Sequence, residues 1–391
     1  MYSLNTHRLG VMWTRLLVTA LIVFLVGAAA TLPALAARPG TWTPTGNVKS
    51  NRIFNAMALL QNGQALVAGG HVINLSGKIT TIASAELYSP TTNKWQYTGS
   101  LNAARESFTA TLLTNGQVLA AGGLYDDPVK GPIALSSAEL YNPITGRWTI
   151  TGSLHTARWN HTATLLPDGE VLVAGGETFD HAHKIISFAS AELYNPTTGR
   201  WTATGSLKQA RYEQTATLLH TGLVLVAGGN TGIFVGLASA ELYNPATGRW
   251  TPTDSMTTVR RGNTMTLLQS GQVLVAGGAD GSGTLLASAE LYNPATGIWS
   301  LTGNMPHPLD QFSATLLQNG QVLAAGGYDG GFIADAELYQ PATGAWTPTG
   351  SMTRPHALQS SVLLQNGEVL IAGGAYNIFH LKVDGAEYYT L

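Results

Sequence analysis

From Thr41 to Leu391 the chain is written in short apolar runs, each closed by Gly, Pro, Asn or Asp. One stretch shows the grammar: "HTATLL" (161–166), "EVLVAGG" (170–176), "SAELYNP" (190–196) and "WTATG" (201–205). Runs this short, rich in β-branched and aromatic residues and bounded by turn formers, predict strands. "VLVAG" is apolar at successive positions, as a strand covered on both faces must be. "AELY" alternates, the pattern of a less buried strand. No segment beyond the N-terminal region keeps a 3.6-residue apolar period, so helices are not expected.

The grammar repeats. Seven Gly-Gly pairs end apolar runs, at 69–70, 122–123, 175–176, 228–229, 277–278, 326–327 and 373–374. Each first glycine lies 27 residues after a tryptophan: Trp42, Trp95, Trp148, Trp201, Trp250, Trp299 and Trp346. A tyrosine stands seven residues before each of the last six (Tyr88, Tyr141, Tyr194, Tyr243, Tyr292, Tyr339). The period is 53, 53, 53, 49, 49 and 47 residues, and all the variation falls between Gly-Gly and Ala-Glu-Leu-Tyr. Four-stranded units of about 50 residues predict propeller blades. The chain enters with a lone fourth strand, "TWTPTG" (41–46), and ends with a three-stranded unit that stops without a tryptophan. The two fragments are complementary. We expect residues 41–46 to complete the last of seven blades, because closure removes the sheet edges of an open array.

Gly-Gly after an apolar strand, then Tyr, then Trp, seven times over about 350 residues, resembles the kelch repeat. "AELYNPATGRWTPTGSM" is similar in particular to bacterial kelch-like repeat proteins. The resemblance implies a seven-bladed all-β propeller, the fold of the central domain of galactose oxidase.

Composition narrows the functions. Apolar residues make up 45% and charged residues 11%, which describes a globular chain. The formal net charge is -2, with no Lys/Arg run, so there is no electrostatic footprint for nucleic acid. Cysteine is absent, which excludes disulfides, thiolate metal sites and a cysteine nucleophile. Residues 1–36 carry Arg8 and Arg15, an apolar run at 16–31, and Ala34 and Ala36 at the small-residue positions of a cleavage site. They are expected to be a signal peptide, or else an N-terminal membrane anchor, with the propeller in 37–391. No later stretch is long and apolar enough to span a membrane as a helix.

Residues present in every blade are expected to be structural: the Gly-Gly pairs, the Trp and Tyr, and the glutamates Glu86, Glu139, Glu192, Glu241, Glu290, Glu337 and Glu387. Seven residues before the first Leu of each "LL" stand Arg52, Arg105, Arg158, Arg211, Arg260, Leu309 and His356. They share a face with the variable loops and are candidates to hold an anionic group. The alternative is that each Arg bonds carbonyls or a glutamate of its own or a neighbouring blade. Three residues further on, Asn55, Phe108, His161, Gln214, Asn263, Phe312 and Gln359 are expected at the mouth of the central channel. His161, Gln214 and Asn263 are its polar binding candidates. The variable loops (71–84, 124–137, 177–190, 230–239, 279–288, 328–335 and 375–385) sit on a rigid scaffold, where binding residues concentrate. Asp180, His181 and His183 are donors of metal-ligating type, but histidines this close in a loop are more often solvated. Asp126, Asp127 and Asp280 lack the spacing of a calcium loop. No metal or cofactor is expected.

The reading is a secreted or cell-surface recognition module, a monomer, binding a protein, peptide or glycan on its loop face. An enzyme is the alternative, since the fold resemblance extends to copper radical oxidases and sialic-acid epimerases. Those oxidases build a cofactor by joining tyrosine to cysteine, and this chain has no cysteine. A structural surface component is the third reading.

Overall fold

The computed structural model describes residues 40–46, 48–73, 77–180, 184–232, 235–375 and 385–391. The expected signal segment, 1–36, lies outside the described residues. Seven four-stranded antiparallel sheets are arranged as blades around one axis. Blade 2 is representative. Its strands run Thr109–Leu112, Val118–Ala121, Ala138–Asn142 and Arg147–Ile150, from the axis outward. The second strand is buried at every position, the third has Leu140 and Asn142 half exposed, and in the fourth only Trp148 is buried. Burial thus follows the apolar pattern strand by strand.

The seventh blade takes strands from both ends of the chain. Ser360–Leu363, Val369–Ala372 and Ala386–Thr390 are completed by Thr41–Pro44. Thr41 pairs with Thr390, Trp42 with Tyr389, Thr43 with Tyr388 and Pro44 with Glu387. The Trp42 and Tyr389 rings meet at 5.2 Å, within 0.2 Å of the Tyr–Trp pairs of the other blades. Trp42 Nε1 donates to the Gly350 carbonyl of blade 6 (2.8 Å). Asn55 Nδ2, at the head of blade 1, donates to Ser360 Oγ of blade 7 (3.1 Å). The expected closure is therefore present, in register and on both sides of the seam.

The core lies between blades. Each cluster joins the second strand of one blade to the second strand, Tyr and Trp of the next: Leu66 and Ala68 of blade 1 pack on Val118, Ala120, Tyr141 and Trp148 of blade 2. Tyr141 OH also reaches back to Thr98 Oγ1 (2.7 Å), so the aromatic stack carries one polar anchor into the preceding blade.

The longest variable loops are not irregular. In blades 1 to 3 they fold into two-stranded ribbons, His71–Ile73 with Ile79–Thr81, Leu124–Asp127 with Gly131–Ala134, and Glu177–Phe179 with Ile185–Ser187. Neighbouring ribbons touch, as where Asp126 N–H meets Thr81 Oγ1 (3.0 Å). Blades 4 to 6 close their shorter loops with single bridges, so the loop face is built higher over blades 1 to 3. Among the described residues no helix is long and apolar enough to cross a membrane.

Candidate functional site

The five candidate arginines are inside their blades. Arg105 has no exposed surface. Its Nη1 donates to the carbonyls of Gly122 (2.6 Å) and Ser137 (2.9 Å), and its Nη2 to Ser137 Oγ (3.0 Å) and Glu139 Oε1 (2.8 Å). Arg52, Arg158, Arg211 and Arg260 make the same set of bonds, to Glu86, Glu192, Glu241 and Glu290. Each glutamate also accepts the backbone N–H groups that lead into its arginine: Glu139 takes Asn102 (2.7 Å) and Ala103 (3.0 Å). Burial pushes the Glu139 carboxyl up, but the two amides and Arg105 overcome it, and the net shift is down. The donors are spent on the protein, so the anion-binding expectation for this ring gives way to the structural alternative. Arg clips the crossing between blades to the second and third strands of its own sheet. His356, equally buried, sits 3.3 Å from the Gly373 carbonyl and 3.7 Å from Glu387. Leu309 makes no such bonds, being apolar.

The expected channel residues turn sideways. Each lies over the first glycine of the preceding blade's pair: His161 over Gly122, Gln214 over Gly175, Asn263 over Gly228. A Cβ on Gly122, whose φ is +61°, would stand 2.5 Å from the Arg158 carbonyl and 2.8 Å from His161. Hydrogen bonds follow the same seam. His161 Nε2 meets Thr109 Oγ1 (3.2 Å), Gln214 Nε2 donates to the Ala174 carbonyl (2.8 Å), and Asn263 Nδ2 to Thr215 Oγ1 (3.1 Å). Burial, then Arg158, pulls the His161 pKa down to about 3, so the ring is neutral and couples blades as an uncharged group.

The mouth is lined instead by residues the repeat leaves free to vary. The second residue after each arginine position is left-handed in every blade: Phe54, Ser107, Asn160, Glu213, Gly262, Gln311 and Leu358, with φ from 50° to 65°. Only one is glycine, although a left-handed L-residue costs roughly 1 kcal/mol or more. Successive copies bond around the axis, Ser107 N to Phe54 O (3.0 Å), Asn160 N to Ser107 O (3.2 Å) and Glu213 N to Asn160 O (3.1 Å). The residue before each (Ile53, Glu106, Trp159, Tyr212, Arg261, Asp310, Ala357) bridges to the one after Gly-Gly (His71, Leu124, Glu177, Asn230, Ala279, Tyr328, Ala375).

These three positions per blade form a rim of mixed chemistry. His71 of blade 1 pairs with Glu106 of blade 2. Asn160 donates to Glu177 (2.8 Å), and Asn230 to Glu213 (2.9 Å). Trp159 stacks on Phe179 of the blade 3 ribbon at 5.8 Å. Carboxylates stand on blades 2, 3, 4 and 6, with Glu106, Glu177 and Asp310 buried and Glu213 half-buried, while blades 7 and 1 have Leu358 and Phe54 half-buried beside the buried Ala357 and Ile53. Trp159, Asn160, Glu213 and Gln311 keep part of their surface in solvent. Sequence reasoning missed this rim. The signal was present: a fixed offset from a repeated arginine at which no two adjacent blades agree.

The loop acids act locally. Asp127 accepts the amides of Val129 and Lys130, which hold its carboxyl below the usual range. Asp280 caps Ser282 and Thr284. Asp180 accepts the Lys184 amide (2.8 Å), while His181 and His183 lie outside the described residues. Among the described residues no three His, Asp or Glu side chains converge as a metal site would require.

Residues 268–306 and 312–353 match the family model of the Kelch motif. An F-box/kelch-repeat protein of Arabidopsis thaliana is 32% identical over 140 residues, which cover 36% of this chain and 35% of that protein. The human Kelch-like protein 33 is 30% identical over 125 residues, 32% of this chain and 22% of that one. The matched stretches thus span about a third or less of these relatives' own length. Among solved structures, a fungal alcohol oxidase of the AA5 family in complex with copper superposes with a TM-score of 0.70 at 17% identity, over 90% of this chain and 76% of its own. YjhT superposes with a TM-score of 0.59 at 12% identity, over 78% of this chain and 99% of its own. Both show a shared fold. The strand order and the ring closed through Thr41–Pro44 make this chain a seven-bladed β-propeller, and two of its stretches, 268–306 and 312–353, carry the Kelch motif.

Proposed function

We propose that the chain is a non-enzymatic recognition module, exported from a bacterial cell as a monomer, that binds a protein, peptide or glycan on its loop face. The observation that carries this reading is where the blades differ. Strand pairs, Arg–Glu clips and Gly-Gly seams recur, and the loop-face rim with its ribbons does not. Repeated wedges supply rigidity, and a variable aromatic and polar rim supplies selectivity. The curated relatives, named for kelch repeats, accord with a binding role.

The copper-bound oxidase raises an oxidase reading, and the residues do not fit it. The chain has no cysteine for a tyrosine–cysteine cofactor, and its described acids and histidines do not converge.

The test is a glycan array and a peptide-library selection with wild-type protein, Trp159→Ala, Glu213→Gln and a control on an outer strand, Ile150→Ala. Ligands should lose at least tenfold in affinity with either rim variant and none with the control. Ligands that bind all four proteins equally would remove the rim from the account.

A further inference from the structure

Blade 6 has lost the partners of its buried glutamate. In blade 2, Glu139 is held by the Asn102 and Ala103 amides, by Arg105, and by a network that includes Ser137. The corresponding residues of blade 6 are Pro306, His307, Leu309 and Asp335. Proline has no N–H to donate, leucine has no cation, and an acid replaces the neutral hydroxyl. Glu337 nevertheless remains, 2% exposed, and the one backbone amide left beside it, that of His307, does not reach hydrogen-bond geometry with either carboxylate oxygen. Across the sheet it faces Ala324 and Pro348, which carry no charge. The ionisable groups near it are Asp335, bonded by Ser351 (3.0 Å), and His307, whose ring lies 3.8 Å from Asp335 at the surface. Blade 7 has kept its compensation: Glu387 accepts Thr353 N (2.9 Å) and Thr353 Oγ1 (2.7 Å) beside His356.

We propose that blade 6 is a pH-sensitive wedge: Glu337 is stored as the neutral acid, and raising the pH charges it in a site stripped of the cation and amide that hold its counterparts, which loosens this blade. The chemistry agrees in direction. Burial first, and Asp335 second, raise the Glu337 pKa to about 7 from 4.5, with the His307 amide acting the other way. The folded value exceeds the unfolded one, so the stabilisation is complete below pH 4.5 and is lost as pH rises through 7. Glu139 and Glu387 have the opposite sign.

The test compares the wild-type chain with Glu337→Gln and Leu309→Arg by urea unfolding at pH 5.5, 7.0 and 8.5, without ligand. The ratio of wild-type to Glu337→Gln unfolding constants should rise about 30-fold from pH 5.5 to 8.5, the value given by a carboxyl that moves from 4.5 to about 7. Leu309→Arg, which returns the cation, should change the ratio in the same direction and serves if Glu337→Gln fails to fold. Hydrogen exchange corrected for intrinsic rate should show Ala336–Gln340 losing protection relative to Ala289–Asn293 of blade 5. A ratio independent of pH, or equal loss in blades 5 and 6, would overturn the proposal.

Discussion

Replacing Arg105 with leucine would impose on blade 2 the substitution that blade 6 carries naturally. Glu139 would then keep its amides from Asn102 and Ala103 but lose its cation, in a site with 1% exposure. The carbonyls of Gly122 and Ser137 and the Ser137 hydroxyl would lose their donor as well. Removing one partner of a buried ion pair costs about 3–5 kcal/mol, because the charge left behind is unpaired. Leucine recovers part of the packing, so we expect a loss of about 3 kcal/mol at pH 7 by equilibrium urea unfolding. The double variant Arg105→Leu/Glu139→Gln keeps an acceptor for the two amides and removes the stranded charge. It should recover about 2 kcal/mol of that loss. Acid gives a further check. Glu139 titrates below its ordinary value in the folded protein, so its stabilisation is present above pH 4.5 and fades as pH falls through the folded pKa. The gap between wild type and Arg105→Leu should therefore narrow below pH 4.5. A single-variant loss under about 1 kcal/mol would refute the clip as a structural element.

Two other perturbations address the seams. His161→Phe copies blades 2 and 6, which carry Phe108 and Phe312 at that position; it should be near neutral at pH 8 and more stable than wild type by about 2 kcal/mol at pH 5, because the buried imidazole with a pKa of about 3 resists the proton that the unfolded chain accepts below 6.5. The sign follows from the depressed pKa of a base: stability is lost as pH falls through 6.5 toward 3. Gly122→Ala should lower the melting temperature by more than 10 °C or abolish folding, since the φ of +61° is strained for alanine and the Cβ would meet backbone at 2.5 Å.

The fold was legible because its determinants are local and repeated. Gly-Gly, Trp and Tyr recur at fixed spacing, and the unmatched strand at 41–46 is the complement of what the tail lacks. The fate of the arginines was legible only as one of two readings, a clip to carbonyls and a glutamate or an anion-binding rim. Arg105 meets Glu139 across 34 residues and Arg260 meets Glu290 across 30, with the variable loop between, so no local pattern announces the pair. A surface arginine and a buried clip read alike until the sheet is assembled. The left-handed rim was hidden for a different reason. Positive φ is usually flagged by glycine, and here only Gly262 flags it, while the Glu213 and Leu358 amides donate to the carbonyl of the copy before, and the Phe54 carbonyl accepts from Ser107. The ribbons of blades 1 to 3 were read as loops because their strands are only three or four residues long and their sequences do not repeat from blade to blade.

Everything above depends on head and tail sharing the seventh sheet, and the cysteine-free sequence makes that directly measurable. Thr41 and Thr390 are exposed partners in the terminal strand pair, so the double variant Thr41→Cys/Thr390→Cys holds only one possible intramolecular disulfide. Mild oxidation of the folded protein should give the cross-linked monomer, seen as a mobility shift on non-reducing gels and as an intact-mass loss of two hydrogens. Free thiols after oxidation, or linkage only between chains, would contradict closure.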